Sequence, residues 1–161
     1  MNRLILIRHG EAERPVVNQQ DIERALNALG REETIGVATE LARRGFAPDL
    51  ALVSTAERTR QTWAAMAPAF PEAKVEFDPS LYDAGPETIL DAGDRPDAGT
   101  VAIVGHNPGM HQIALYLAQS SDLELRRRLE RNFPTGGAAV FRVEGRGKAT
   151  CEAVVFPKDV R

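Results

Sequence analysis

Three short apolar runs recur along the chain: Leu4-Ile5-Leu6-Ile7, Leu50-Ala51-Leu52-Val53 and Val101-Ala102-Ile103-Val104. Runs of this length suit buried strands and are too short for helices. Helical spacing follows each one. From about Arg31 to Arg44 the apolar positions Ile35, Ala38, Leu41 and Ala42 share a face, and Gly45 supplies a stop. After the second run, Thr59, Trp63, Met66, Ala67 and Phe70 share a face that ends at Pro71. After the third run, Met110, Ile113, Ala114 and Leu117 point one way. Val75 to Phe77 predicts a further short strand, and Pro86 to Asp91 a short helix with Gly93 behind it. Asp122 to Arg131 predicts a polar helix. Ala138 to Val143 and Ala149 to Phe156, joined by Glu144-Gly145-Arg146-Gly147-Lys148, predict a terminal hairpin. Alternating strands and helices imply an α/β chain, a three-layer α/β/α sandwich. Its sheet is mixed and mostly parallel, closed by the antiparallel hairpin. There are no internal repeats, and 161 residues suit a single domain over residues 1–161.

What stands at the strand ends carries the chemistry. The first run leads into Arg8-His9-Gly10-Glu11. That places an imidazole at the carboxyl edge of a sheet, where open α/β sheets bind ligands, beside a guanidinium whose planar fork suits phosphate. The second run leads into Ser54-Thr55-Ala56-Glu57-Arg58-Thr59-Arg60-Gln61-Thr62. The hydroxyl pair predicts an N-cap and puts Arg58 in the first helical turn, where the helix dipole disfavours a cation but an anion is welcome. A functional role is therefore assigned to Arg58 and a solvated surface position to Arg60. The third run leads into Gly105-His106-Asn107-Pro108-Gly109. Asn107 reads as a cap and Pro108 as the first helical residue. His106 thus mirrors His9 in a second strand–turn–helix unit, whereas His111 falls on the following helix and reads as surface.

Taken together, RHG, Ser-x-x-x-Arg-x-x-Gln-Thr and the late Gly-His resemble the histidine phosphatase superfamily, also called phosphoglycerate mutase-like. The short chain, the stretch Arg24-Ala25-Leu26-Asn27-Ala28-Leu29-Gly30 and the segment Phe133-Pro134-Thr135-Gly136-Gly137-Ala138 are similar to its SixA-type phosphohistidine phosphatases. The resemblance implies that His9 is the phosphorylated nucleophile, and that Arg8, Arg58 and His106 form the phosphate pocket. It implies a further phosphate contact from Arg24. A neutral imidazole is a competent nucleophile near neutral pH. One ring nitrogen must face phosphorus while the other donates its proton, as to a nearby backbone carbonyl. Phosphoryl transfer is chiefly positioning and charge stabilisation, which the arginines supply, so neither metal nor cofactor is expected. Many members carry a glutamate as general acid. In the comparable stretch, Leu81-Tyr82-Asp83-Ala84-Gly85-Pro86-Glu87, the positional candidate is Asp83, with Glu87 next. Ser54 and Asn107 are candidates for further hydrogen bonds.

The expected activity is therefore a metal-independent phosphatase that works through a phosphohistidine intermediate on protein phosphohistidine. Its partner would be a phosphorylated protein of the histidine-phosphotransfer type, and phosphate or vanadate would occupy the site. The alternatives are a phosphatase for a small phosphate monoester and, less well supported because His9 is present, an inactive phospho-binding module. A mutase is disfavoured, because little chain lies outside the scaffold to enclose a substrate. The formal net charge of −3 argues against a nucleic-acid binder, so the arginines matter locally. Arg126, Arg127, Arg128 and Arg131 on the polar helix read as a solvated face, or else as a dock for an acidic protein. The single Cys151, in an apolar β-like run, reads as a buried thiol without a catalytic role. No apolar run is long enough to span a membrane, and the chain enters a core strand at once, so a cytoplasmic protein is expected.

Overall fold

In a computed structural model, which describes residues 1–161, six strands form one sheet in the order β3-β2-β4-β1-β5-β6. They are β1 (Arg3–Arg8), β2 (Leu50–Ser54), β3 (Lys74–Asp78), β4 (Thr100–Gly105), β5 (Ala138–Gly145) and β6 (Lys148–Val155). The first four run parallel, and β5 and β6 add antiparallel beyond β1. The helices are α1 (Ala28–Arg43), α2 (Glu57–Met66), α3 (Pro86–Gly93), α4 (Gly109–Leu117) and α5 (Leu123–Arg131). The sandwich and its hairpin follow the sequence pattern. From β1 to β3 the chain steps toward one edge, then turns back to insert β4. Right-handed crossovers therefore put α1 and α2 on one face, and the later helices on the other.

The parallel strands are buried on both faces, which is why they read as continuous apolar runs rather than alternations. Ile5, Ile7, Val53 and Val104 pack with Val37, Leu41, Trp63 and Met66 under α1 and α2. Leu4, Leu6, Leu52 and Ile103 pack on the other side with Ile89, Met110, Ile113 and Leu129. Cys151 is buried in that second layer, and burial pushes its thiol up to about 11, in keeping with an inert side chain. No helix is long and apolar enough to cross a membrane.

Two details differ from the pattern expected of the sequence. α1 begins at Ala28, where the Asn27 side chain accepts from Gly30 N, and its core face is Gly30, Thr34, Val37, Ala38 and Leu41. Ile35 is exposed instead. The face is turned by one position because Gly30 must meet the backbone after β1: a Cβ there would lie 2.1 Å from the Glu11 carbonyl oxygen. His111 is half-buried rather than a free surface side chain. Its Nε2 lies 2.6 Å from the Leu129 carbonyl oxygen, tying α4 to α5.

Candidate active site at the carboxyl edge of the sheet

β1, β4 and β2 are neighbours, so their carboxyl ends lie side by side. Arg8 pairs with Gly105 in register, and Val104 with Val53. The residues that follow, His9 and His106, are therefore brought together with ring centroids 5.4 Å apart. His9 N donates to the Gly105 carbonyl at 3.1 Å, locking the two strand ends.

The buried His9 ring has its Nδ1 2.7 Å from the Gly10 carbonyl oxygen. A carbonyl only accepts, so Nδ1 carries the proton and Nε2 keeps its lone pair. Burial first, then the nearby cationic groups, pull the His9 pKa down to about 3, against the opposing Gly10 contact. At neutral pH the ring is a neutral imidazole with a fixed tautomer. His106 is brought down to about 4, first by burial and then by Arg58. Its Nε2 lies 2.7 Å from the Oγ of the wholly buried Ser54, and its Nδ1 is buried without a partner.

Arg8 donates from Nη1 to the Phe133 carbonyl at 3.1 Å, and its buried Nε is also unpartnered. Buried polar atoms left unsatisfied require an explanation, and two of these belong to residues at adjoining strand ends. Arg58, in the first turn of α2, is buried. Its Nη1 donates to the Asp21 carbonyl at 2.8 Å and its Nη2 to Asp21 Oδ2 at 3.0 Å. Tyr82 meets the same Oδ2 at 2.5 Å through its hydroxyl and sets its ring edge-on to His106, centroids 5.4 Å apart. These donors, Tyr82 foremost, hold the Asp21 carboxyl well below the usual carboxylate range.

The motif residues around Arg58 are scaffolding. Thr62 Oγ1 accepts from Gly10 N at 2.9 Å, and Gln61 Oε1 accepts from Leu26 N at 2.7 Å. One helix thus fixes both the turn after β1 and the loop that returns toward α1. The Ser54-Thr55 pair does not cap α2. Ala56 takes the N-cap position without a side-chain bond, and Ser54 Oγ meets His106 instead. α4 begins at Gly109, one residue later than expected, with Pro108 at its N-cap, and a Cβ on Gly109 would collide with the Ala84 carbonyl oxygen. Asn107 accepts from His111 N and donates to the Phe133 carbonyl, the same oxygen that Arg8 uses.

The structure brings Arg8, His9, Arg58 and His106 together and leaves two candidates aside. Arg24 gives Nε and Nη2 to the Glu13 carbonyl and Nη1 to Asp21, so it braces the loop rather than presenting a free fork. Asp83 is exposed and makes no hydrogen bond. Its neighbour Tyr82 is the residue of that stretch that reaches the site. Asp21 and Tyr82 were not singled out in the sequence. Asp21 lies three residues before Arg24, but nothing in the chain itself pairs it with Arg58. No group of three or more His, Cys, Asp or Glu side chains is disposed to hold a metal.

Residues 4–88 match the model of the histidine phosphatase superfamily, branch 1. The chain belongs to that superfamily. It is 31% identical to an uncharacterised chloroplast protein of Arabidopsis thaliana, across 96% of this chain and 78% of that protein. An uncharacterised protein of Mycobacterium tuberculosis is 37% identical over 62% of this chain and 63% of its own. Two solved structures, provisionally assigned as SixA phosphohistidine phosphatases, are each 31% identical. The one from Agrobacterium tumefaciens has a TM-score of 0.86, covering 96% of this chain and 97% of that chain. The one from Nakamurella multipartita has a TM-score of 0.81, covering 97% and 96%. Within the histidine phosphatase superfamily the chain is of this SixA type. A protein histidine phosphatase SixA complexed with tungstate shares the fold, at 19% identity and a TM-score of 0.80 over 99% of both chains.

Proposed function

We propose that this histidine phosphatase removes phosphoryl groups from protein phosphohistidine, without a metal, through a phosphoenzyme on His9. The observation that carries the reading is the His9 tautomer: Nδ1–H is committed to Gly10 O, so Nε2 is free to attack. Arg8, Arg58 and the Nδ1 of His106 are the groups to meet the phosphoryl oxygens. Asp21 keeps Arg58 aimed and shares its fork with the arriving anion.

In the first step the P–N bond of the substrate breaks as the bond to His9 Nε2 forms. The departing ring keeps the electron pair, and with a proton on its distal nitrogen it leaves as neutral imidazole. Water then takes the phosphoryl group, releasing inorganic phosphate and restoring neutral His9. Throughout, the proton stays on His9 Nδ1, donated to Gly10 O, so the enzyme's own ring also departs neutral. Neither step calls for a strong general acid, and the site offers none of ordinary strength. Asp83 is turned to solvent, and Asp21 is held ionised. An ester would need that acid, because an alkoxide leaves poorly and general acid catalysis contributes about 10²–10⁴-fold.

The test presents a phosphohistidine protein and a panel of small phosphate esters in parallel, with chelator present. The reading expects phosphohistidine turnover that survives the chelator and is unaffected by Asp83→Asn. Faster hydrolysis of an alkyl phosphate, abolished by Asp83→Asn, would favour the small-molecule reading. Binding of vanadate without turnover of anything would favour the inactive module.

A further inference from the structure

Tyr82 touches three groups of the site, and the phosphoryl transfer itself has no use for its hydroxyl. β3 pairs with β2 as far as Asp78 opposite Ser54. The chain leaving β3 therefore passes the residue that holds His106. That segment has its own anchors. The Asp78 carboxylate accepts from Ser80 N and Ser80 Oγ at 2.9 and 2.7 Å, and Leu81 is buried in the core. From there the half-buried Tyr82 ring stands edge-on to His106, with the Arg58 guanidinium carbon 6.0 Å from its centroid. Its hydroxyl donates to Asp21 Oδ2.

The hydroxyl contact fixes where the Asp21 carboxylate sits. That side chain is half-exposed and lies in the loop after β1. Three side chains donate to it: Arg24 to Oδ1, and Arg58 and Tyr82 to Oδ2. Arg24 belongs to the same loop and cannot locate it from outside. Arg58 is the group to be aimed. Tyr82 is the donor that ties the carboxylate to a separately anchored segment. Asp21 in return raises the Tyr82 pKa, so the phenol stays a donor at neutral pH. The ring acts on a second group. His106 has Ser54 on Nε2 and no partner on Nδ1, and Tyr82 flanks the imidazole and limits its tilt.

We propose that Tyr82 is a positioning residue of the phosphate site, aiming Arg58 through the Asp21 carboxylate and steadying His106 with its ring. The proposal rests on the phosphate site of the reading above, and not on which phosphorylated substrate that site serves.

The experiment measures vanadate affinity by calorimetry, kcat/KM on free phosphohistidine and the melting temperature in one set of variants. Tyr82→Phe removes the hydroxyl and keeps the ring. It should weaken vanadate and lower kcat/KM by about three- to fivefold, as for one charge-assisted hydrogen bond discounted for exposure. Its melting temperature should match wild type. Tyr82→Leu also gives up the aromatic contact and should cost about threefold more. Asp21→Ala removes the carboxylate but keeps the backbone carbonyl that Arg58 also uses. In that background Tyr82→Phe should have no further effect, because the two groups act as one unit. Wild-type vanadate affinity in Tyr82→Phe would overturn the proposal. So would a Tyr82→Phe penalty of undiminished size beside Asp21→Ala. Equal losses in Tyr82→Leu and Tyr82→Phe would overturn the part given to the ring. If vanadate affinities follow the expected pattern while phosphohistidine is not hydrolysed, the substrate reading fails and the positioning role stands.

Discussion

Asp21 clasps Arg58 twice, through its carbonyl at 2.8 Å and its Oδ2 at 3.0 Å. The contact joins the loop after β1 to the first turn of α2, and Tyr82 closes it from a third segment. Arg58 is buried and Asp21 half-exposed, so an acceptor reachable from solvent aims a cation that is not.

Asp21→Asn should therefore impair catalysis more than folding. Arg58 keeps a neutral acceptor but loses the charge that orients it. Charge-assisted contacts are worth roughly 1.5–3 kcal/mol, and 1.4 kcal/mol is a decade in rate. Discounted for exposure, kcat/KM should fall about tenfold, vanadate should bind more weakly, and the melting temperature should hardly move. Steady-state kinetics with vanadate inhibition and a thermal melt would decide it. An unchanged kcat/KM would show that Arg58 is aimed without Asp21.

A phosphoenzyme on His9 should be trapped in acid-free quench during turnover, as a phosphate labile to acid and stable to alkali. His9→Ala should remain folded and lose it together with the activity. Near-normal turnover by that variant would disprove the nucleophile.

Stability should fall with acid in a definite window. His9 and His106 have folded pKa values of about 3 and about 4, against 6.5 for a free imidazole. As pH drops through 6.5 the unfolded chain takes up protons that the folded chain refuses. This contribution is complete above pH 6.5 and is lost as pH falls toward the folded values. The difference in Tm between pH 7 and pH 4.5 should be clearly smaller in His9→Gln/His106→Gln than in wild type. An identical acid slope in both proteins would refute the assignment.

Ser54→Ala should leave the fold intact and slow the reaction. Its hydroxyl is the sole partner of His106 Nε2, and it is wholly buried. A neutral hydrogen bond is worth about 0.5–1.5 kcal/mol net, so kcat/KM should drop about three- to tenfold. Ser54→Thr, which keeps a hydroxyl, should restore part of the loss if the buried site accepts the methyl. Activity equal to wild type in Ser54→Ala would mean that His106 is oriented by its surroundings alone.

Thr62→Val should cost stability of about 1–3 kcal/mol, the penalty for leaving the buried Gly10 N–H without an acceptor. It should also lower kcat, because the Gly10 carbonyl that fixes the His9 tautomer lies in the same turn. Urea denaturation and single-turnover rates on one preparation would check both, with Thr62→Ser as the near-neutral control.

The strand-end positions of His9 and His106 were readable in the sequence because they depend on local pattern. A short apolar run that stops at Arg8 or Gly105 must end a buried strand, and the next residue must lie at its edge. The two-faced core, the hairpin and the place of Arg58 in a first helical turn follow from the same periodicities. The partners of these groups were not readable. That Ser54 serves His106 rather than α2, that Asp21 clasps Arg58, and that Tyr82 rather than Asp83 faces the site all join residues far apart in the chain. So does the one-position turn of α1, which Gly30 takes because it meets the Glu11 backbone. Side-chain period and turn chemistry act over a few residues. Hydrogen-bond partners across strand ends are chosen only when the sheet order β2-β4-β1 sets three distant segments side by side.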